Sequence, residues 1–171
     1  MPSSDLYGPY EHKPLMPIND VNGNLVSLAL RLGDSGHKYH YLPFSKMHHL
    51  FGLDKAQEYI IKEDMVYIVE GFFDVLLPVS NGVRNVVAIM GTRISKEQVY
   101  LLASFTNNFT FVLDSDGAGM RSIPLVTKLI QELAPDVTCH TMFTYPYKDF
   151  ADYCTGGGLC RNQNLTKNQN L

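Results

Sequence analysis

The sequence predicts an α/β fold, a Rossmann-like parallel sheet with crossover helices, preceded by a small β-rich α+β subdomain. Three observations predict it. From Met65 onward, apolar strand-like runs alternate with helical patterns, the arrangement of a parallel sheet. Two of those runs end in carboxylates followed at once by glycine-bearing turns, Glu70-Gly71 and Asp114-Ser115-Asp116-Gly117. Before Met65 the spacing changes to short alternating strands around a hairpin signal.

In chain order, Leu15 to Ile18 and Leu25 to Leu30 read as two strands around the turn Asn19 to Asn24. Asn22-Gly23 is the turn signal, because both residues tolerate positive φ. Lys38 to Leu42 adds a third strand, and Asp54 is placed as N-cap of a helix through Ile61, with Glu58 near the capping-box position. Residues 1–63 form this first unit. The second, 64–155, has strands predicted at 65–70, 85–89, 109–114 and 137–142 and helices at 72–80, 95–104 and 118–133, with Ser95 capping the middle helix. Residues 156–171, opening on Gly156-Gly157-Gly158 and rich in Asn and Gln, have little to bury and read as a flexible tail or linker stub.

The chain of 171 residues is 45% hydrophobic, with nine Phe and ten Tyr, so a packed core is expected. A net charge of −3 argues against a uniformly basic nucleic-acid binder, although a local basic patch would still act locally. No signal peptide or long apolar span stands out, and a cytoplasmic, non-membrane protein is expected. Cys139, Cys154 and Cys160 form neither a CxxC pair nor a Cys/His zinc pattern, so free thiols and no zinc are expected. His48 and His49 are adjacent, point in different directions on a helix, and read as surface or partly packed side chains.

The chemistry concentrates at the strand ends. In extended backbone residues i and i+2 point the same way, so Asp114 and Asp116 can face one spot. Two anions so close repel unless a cation offsets them. Gly117 and Gly119 let the following backbone turn sharply towards a ligand. Glu70 ends the apolar run Met65 to Val69, and Asp74 follows one helical turn later. Ligands of open α/β sheets collect at the carboxyl ends of strands, so Glu70, Asp74, Asp114 and Asp116 are expected on one rim as a divalent-metal site. Asp-Ser-Asp-Gly alone would read as a helix-capping Asx turn; Glu70 at a second strand end outweighs that reading.

With these residues in place, the chain resembles the TOPRIM fold of bacterial DnaG-type primases and topoisomerases. The resemblance rests on Glu70-Gly71 and on Asp114-x-Asp116-x-x-Gly119. Glu70-Gly71-Phe72-Phe73-Asp74 and the run Asn85 to Thr92, with its Gly91-Thr92 loop, resemble the primase branch in particular. Lys148-Asp149-Phe150-Ala151-Asp152 is similar to a late primase Lys-Asp-Pro-x-Asp segment; it lacks the proline and is longer by one, so Asp149 carries over better than Asp152. Leu30-Arg31-Leu32, Lys38-Tyr39 and Phe44-Ser45-Lys46 before Leu50-Phe51-Gly52-Leu53 resemble part of the primase amino-terminal catalytic subdomain. The resemblance spans about residues 14 to 155 and includes neither an amino-terminal zinc-binding module nor a carboxyl-terminal helicase-binding domain. It is that of a fragment, a phage- or plasmid-type variant, or one part of a split enzyme.

The resemblance implies short RNA primer synthesis on single-stranded DNA from NTPs, with Mg²⁺ or Mn²⁺ as cofactor. Mg²⁺ takes a few carboxylates together with water and substrate phosphates. Asp114, Asp116 and Asp149 suit that role, with Asp74 a further ligand and Glu70 a general base or an outer member of the ligand set. Arg31, Lys38 and Lys46 sit where the family's template- and nucleotide-contacting cations lie, and Gly91 and Thr92 belong to a nucleotide-binding loop. Arg93 and Lys96 are candidates of lower rank. Tyr39, Tyr41 and Phe44 are candidate base-stacking rings whose plainer reading is core. The cations are expected on a different subdomain from the acidic rim, and a replicative helicase is an implied partner through regions outside this sequence. The alternatives are a TOPRIM-type metal-dependent nuclease and a non-catalytic single-stranded-DNA-binding fragment; a topoisomerase needs a tyrosine-bearing domain that 171 residues do not accommodate.

Overall fold

Asn22-Gly23 turns the chain back on itself as the sequence predicts. Gly23 takes φ +86, and the Asp20 carboxylate accepts the Asn22 and Asn24 backbone N–H groups at 2.9 Å each. The Asn24 side-chain and backbone donors hold the Asp20 carboxyl below its ordinary pKa. The structure, a computed structural model, describes residues 13–33, 38–113 and 123–156.

The turn joins β1 (Leu15–Asn19) to β2 (Leu25–Arg31) in an antiparallel pair, and β3 (Tyr39–Tyr41) pairs with the other edge of β2. Alternation of side chains along β1 sends Met16 and Ile18 inward, where they meet Ala29 of β2. A single 3₁₀ turn at Lys46–His48 then leads to α1 (Leu53–Glu63). The helix start differs from expectation. Its N-cap is Gly52 at φ +84 with no side-chain cap, and Asp54 lies in the first turn, where its carboxylate accepts the Asn19 side-chain amide at 2.9 Å. Sterics decide this: a Cβ at Gly52 would lie 3.0 Å from Val75 Cγ1, and the left-handed backbone there suits glycine.

From here strands and helices alternate: β4 (Val66–Val69), α2 (Phe73–Ser80), β5 (Val86–Ala88), α3 (Lys96–Ala103), β6 (Asn108–Leu113), α4 (Ile123–Leu133), β7 (Thr138–Phe143) and α5 (Phe150–Thr155). The short helix α5 has no counterpart in the sequence reading. Strand order is β5-β4-β6-β7 and every pairing is parallel. The chain steps from β4 to one side and then returns past β4 to β6, so the switch point lies between β4 and β6. Their register, with Ile68 opposite Phe111, leads towards Glu70 on one strand and Leu113 on the other.

Each face of this sheet is covered. Leu53 and Ile60 of α1, Val99 and Leu102 of α3 and Ile130 of α4 pack with Ile68, Val87 and Phe109. The opposite face, carrying Val69, Val86, Ala88 and Val112, packs against Phe72, Val75 of α2, Phe150 and Cys154 of α5, and the antiparallel sheet through Met16, Ile18 and Ala29. The continuous apolar character of Val66-Tyr67-Ile68-Val69 follows from this two-sided burial. On the outer side of β5, Phe51 and Ala88 exchange backbone hydrogen bonds of 2.9 and 3.0 Å. Among the described residues no helix is long and apolar enough to cross a membrane.

Ser95 caps α3 as predicted, in a capping box with Gln98. Gln98 does more than cap. It is 2% exposed, and its side-chain amide donates towards the carbonyls of His49 at 2.7 Å, Lys46 at 3.1 Å and Ile89 at 3.3 Å. Ser95 Oγ adds a bond to the Met47 carbonyl at 2.7 Å. The 3₁₀ turn is therefore fastened to the start of α3 and to the exit of β5. Gln98→Leu keeps the volume but leaves these carbonyls without their donor, so it should cost about 2–3 kcal/mol of stability in urea unfolding with an unchanged m-value. A loss below about 0.5 kcal/mol, the range of ordinary surface substitutions, would contradict the clamp.

Candidate metal and nucleic-acid site

Glu70 follows the last residue of β4 and is exposed. Its carbonyl accepts the Met90 N–H at 3.1 Å, while the Val69 carbonyl accepts that of Ile89 at 3.0 Å, so the chain leaving β5 tracks β4 to its end. Met90 is held at φ +57, a conformation that a non-glycine residue rarely adopts. Gly91, Thr92 and Arg93 follow it and are exposed.

Gly71 lies close to the Asp74 carboxylate: a Cβ there would stand 3.0 Å from Asp74 Oδ2, so a larger residue would need that group to give by a few tenths of an ångström. Asp74 lies half-buried in the first turn of α2, where the helix dipole favours an anion. The glycine after the strand-end glutamate therefore makes room for a second acid at the same strand end.

Asp149 is the N-cap of α5, its Oδ1 accepting the Asp152 N–H at 2.9 Å. It is reached by the loop that leaves the carboxyl end of β7. Phe150, 1% exposed and 5.5 Å from the Tyr67 ring, anchors the helix to the sheet. Capping engages one carboxylate oxygen of Asp149, Oδ1. Asp152 is exposed on the first turn of α5. Asp114, Asp116, Gly117 and Gly119 lie outside the described residues, and among the described residues no three His, Cys, Asp or Glu side chains gather into a metal-binding group.

The cations are placed differently from expectation. Arg31, at the end of β2, donates to the Tyr39 hydroxyl at 2.8 Å, and its guanidinium lies 5.5 Å from the Tyr39 ring centroid and 5.0 Å from that of Phe73. Phe73 sits between Glu70 and Asp74 in the chain. Lys46 Nζ lies 3.4 Å from the centroid of the Tyr41 ring and 3.5 Å from the Met90 carbonyl. Burial lowers the Lys46 pKa from its ordinary value. Arg31 and Lys46 thus come from the front unit, as expected, but reach the strand end that carries Glu70 and Asp74 instead of standing away from it. The antiparallel sheet lies directly on the parallel sheet, and Gln98 pins the Lys46 turn beside β5. Lys38 is exposed, and its backbone carbonyl accepts the Leu32 N–H at 2.9 Å. Lys96 is exposed and 3.9 Å from Glu97.

Tyr39, Tyr41 and Phe44 follow their plainer reading. They are half-buried and form one aromatic chain with Phe72 and Phe51, with Tyr39 to Phe72 at 5.0 Å and Phe51 to Phe72 at 4.7 Å. His49 is half-buried against Phe44, its pKa lowered chiefly by burial, and His48 is exposed. Cys139 is half-buried and Cys154 buried, the two forming no disulfide with each other, and Cys160 lies outside the described residues. Sequence reasoning did not find Gln98 or Phe73. Ser95 signalled a cap, but nothing local shows that the Gln98 amide reaches the Lys46 turn.

Comparison with known proteins places this arrangement. Residues 67–154 match the Toprim-like family. The DNA primase of Aquifex aeolicus is 37% identical over 131 residues, covering 71% of this chain and 26% of that protein. The DNA primase of a Synechocystis is 35% identical over 136 residues, covering 75% and 21%. The chain thus spans about a quarter or less of the length of these relatives. Among solved structures, the Aquifex aeolicus primase comprising zinc-binding and RNA polymerase domains superposes with a TM-score of 0.78 at 30% identity, covering 92% of this chain and 40% of that one. A DnaG primase catalytic domain bound to single-stranded DNA gives a TM-score of 0.75 at 26% identity, with coverages of 85% and 49%. The chain belongs to the Toprim-like family, and its kin within that family are the catalytic cores of DnaG-type DNA primases.

Proposed function

We propose that this chain carries a primase-type nucleotidyl-transfer centre, joining NTPs into short RNA on a single-stranded DNA template. The observation that supports this over a bare acidic-rim nuclease is the meeting of Arg31 and Lys46 with Glu70 and Asp74 at one sheet edge. Hydrolysis of a phosphodiester needs only a divalent cation held by carboxylates and an activated water, whereas polymerisation must also hold template and incoming triphosphate. The division at residues 63/64 and 155/156 fits this reading, with the front unit supplying cations and the Toprim-like unit supplying acids.

The donors suit a hard divalent cation: Asp74 and Asp149 offer carboxylate oxygens, Glu70 stands beside them as base, and glycine at 71 leaves Asp74 its place beside the strand end. Asp114 and Asp116, immediately after β6 in the chain, complete the proposed set, with Mg²⁺ as the ion and Mn²⁺ as substitute. When bound, such ions stabilise the attacking and leaving oxygens of an in-line phosphoryl displacement. Glu70, exposed at its strand end, takes the proton of the primer 3′-hydroxyl. Arg31, Lys38 and Lys46 hold phosphates, which positions nucleic acid without reading its bases. The loop at Gly91-Thr92 approaches the triphosphate. A replicative helicase partner and a cytoplasmic setting accord with this role.

Primer synthesis from labelled NTPs on single-stranded DNA, with Mg²⁺ or Mn²⁺, tests the reading; RNA products support it, and template degradation alone would replace it with a nuclease. Asp114→Asn and Asp116→Asn should each weaken Mn²⁺ binding in calorimetry and abolish turnover, with stability kept or raised because a repelling charge is removed. Unchanged Mn²⁺ affinity in both variants would remove these residues from the site. Glu70→Gln keeps shape but cannot take a proton, so synthesis should fall about 10²–10⁴-fold while metal binding persists. Lys46→Ala should reduce the salt slope of single-stranded DNA binding by about 0.7. Lys128→Ala, at an exposed lysine 3.9 Å from Glu132, is the control, and equal slopes for the two would deny Lys46 a phosphate contact.

A further inference from the structure

The environment of Lys46 is unusual for a half-buried cation. Among the described residues no carboxylate pairs with it; its ammonium rests 3.4 Å from the Tyr41 ring centroid and 3.5 Å from the Met90 carbonyl. An ammonium has three N–H donors, and the ring and the carbonyl engage two of them. A carboxylate would hold the side chain as firmly but would cancel its charge. An aromatic face attracts the cation through its quadrupole and leaves the net charge intact. The Tyr41 ring is itself fixed, tilted against Phe44 at 5.9 Å and Phe72 at 6.1 Å, and Phe72 is fully buried next to Gly71. The ring that carries the ammonium is thus built on the segment that carries Glu70 and Asp74.

We propose that Tyr41 is a positioning residue: its ring face holds the Lys46 ammonium at the carboxyl edge of the sheet, aimed at an incoming phosphate and not neutralised before it arrives. This assigns Tyr41 a role other than base stacking, because the face that would meet a base is occupied by the cation. It rests on the reading of Lys46 as a phosphate contact and deepens it. The phosphate then binds a cation whose rotamers are already restricted and whose water is partly removed. Such preorganisation lowers the ordering cost of binding.

The test measures binding of labelled oligo(dT) to the whole chain at low salt for Tyr41→Leu, Tyr41→Phe, Lys46→Ala and the double variant Tyr41→Leu/Lys46→Ala. Tyr41→Leu should weaken binding about fivefold, the range of a partly desolvated cation–π contact, and Tyr41→Phe, which keeps the ring face, should restore it. In the Lys46→Ala background Tyr41→Leu should have no further effect, since the two residues act as one unit. An equal loss from Tyr41→Leu with and without Lys46, or no loss at all beside a clear Lys46→Ala effect, overturns the inference and leaves the Lys46 contact standing. No effect of Lys46→Ala overturns the phosphate reading and the inference with it. Should Tyr41→Leu fail to fold, progressively fluorinated phenylalanines at position 41 keep the shape while draining the ring quadrupole. Affinity should then fall stepwise with fluorine content, and a flat series overturns the inference.

Discussion

The side-chain amide of Gln98 is the point on which the geometry of this molecule turns. It stands where three pieces of chain meet: the 3₁₀ turn carrying Lys46, the exit of β5 and the first turn of α3. A parallel sheet fixes where its strands end but does not fix what lies beside those ends. The buried amide does so here, because carbonyl groups removed from water must find donors. Its acceptors lie in the short 3₁₀ turn, just after it at His49, and just beyond β5 at Ile89, none of them inside an α-helix or strand. Had the position been apolar, the turn would have kept its sequence and lost its place.

With that junction made, charges of both signs come within reach of one strand end. Carboxylates reach it along the parallel sheet, from Glu70 and from Asp74 lying over a residue with no side chain. Cations reach it across the sheet face, from Arg31 at the end of β2 and Lys46 in the turn. Both cations stack on aromatic rings, Arg31 on Tyr39 and Phe73 and Lys46 on Tyr41. The aromatic chain through Phe72 and Phe51 is buried core at one end and, through Tyr39 and Tyr41, carries the two cations at the other.

Period-2 and period-3.6 patterns made the alternating β/α order legible, and the strand ends followed to within a residue or two, since two-sided burial leaves long apolar runs such as Val66 to Val69. Asn22-Gly23 and Ser95 were legible because turn and cap chemistry is local. The start of α1 was not: the choice of Gly52 over Asp54 is made by contact with Val75, more than twenty positions away. α5 is six residues long, too short for a period to declare itself, and it is defined by the Asp149 cap and by Phe150 burial. The acids Glu70 and Asp74 were readable from strand-end position, whereas the nearness of Lys46 to them is a product of tertiary packing that no local pattern encodes.

The short antiparallel bridge between Phe51 and Ala88 gives the two borders of the parallel sheet different fates. On the β5 side a single residue pair, Phe51 with Ala88, engages the outward backbone groups of Ala88. On the β7 side, among the described residues, no strand adds to the outer edge, and Thr138, Thr141 and Phe143 are exposed along it. Among the described residues the outer edge of β7 is thus the border of the parallel sheet whose backbone groups no strand pairs, and such an edge is where a further strand can add.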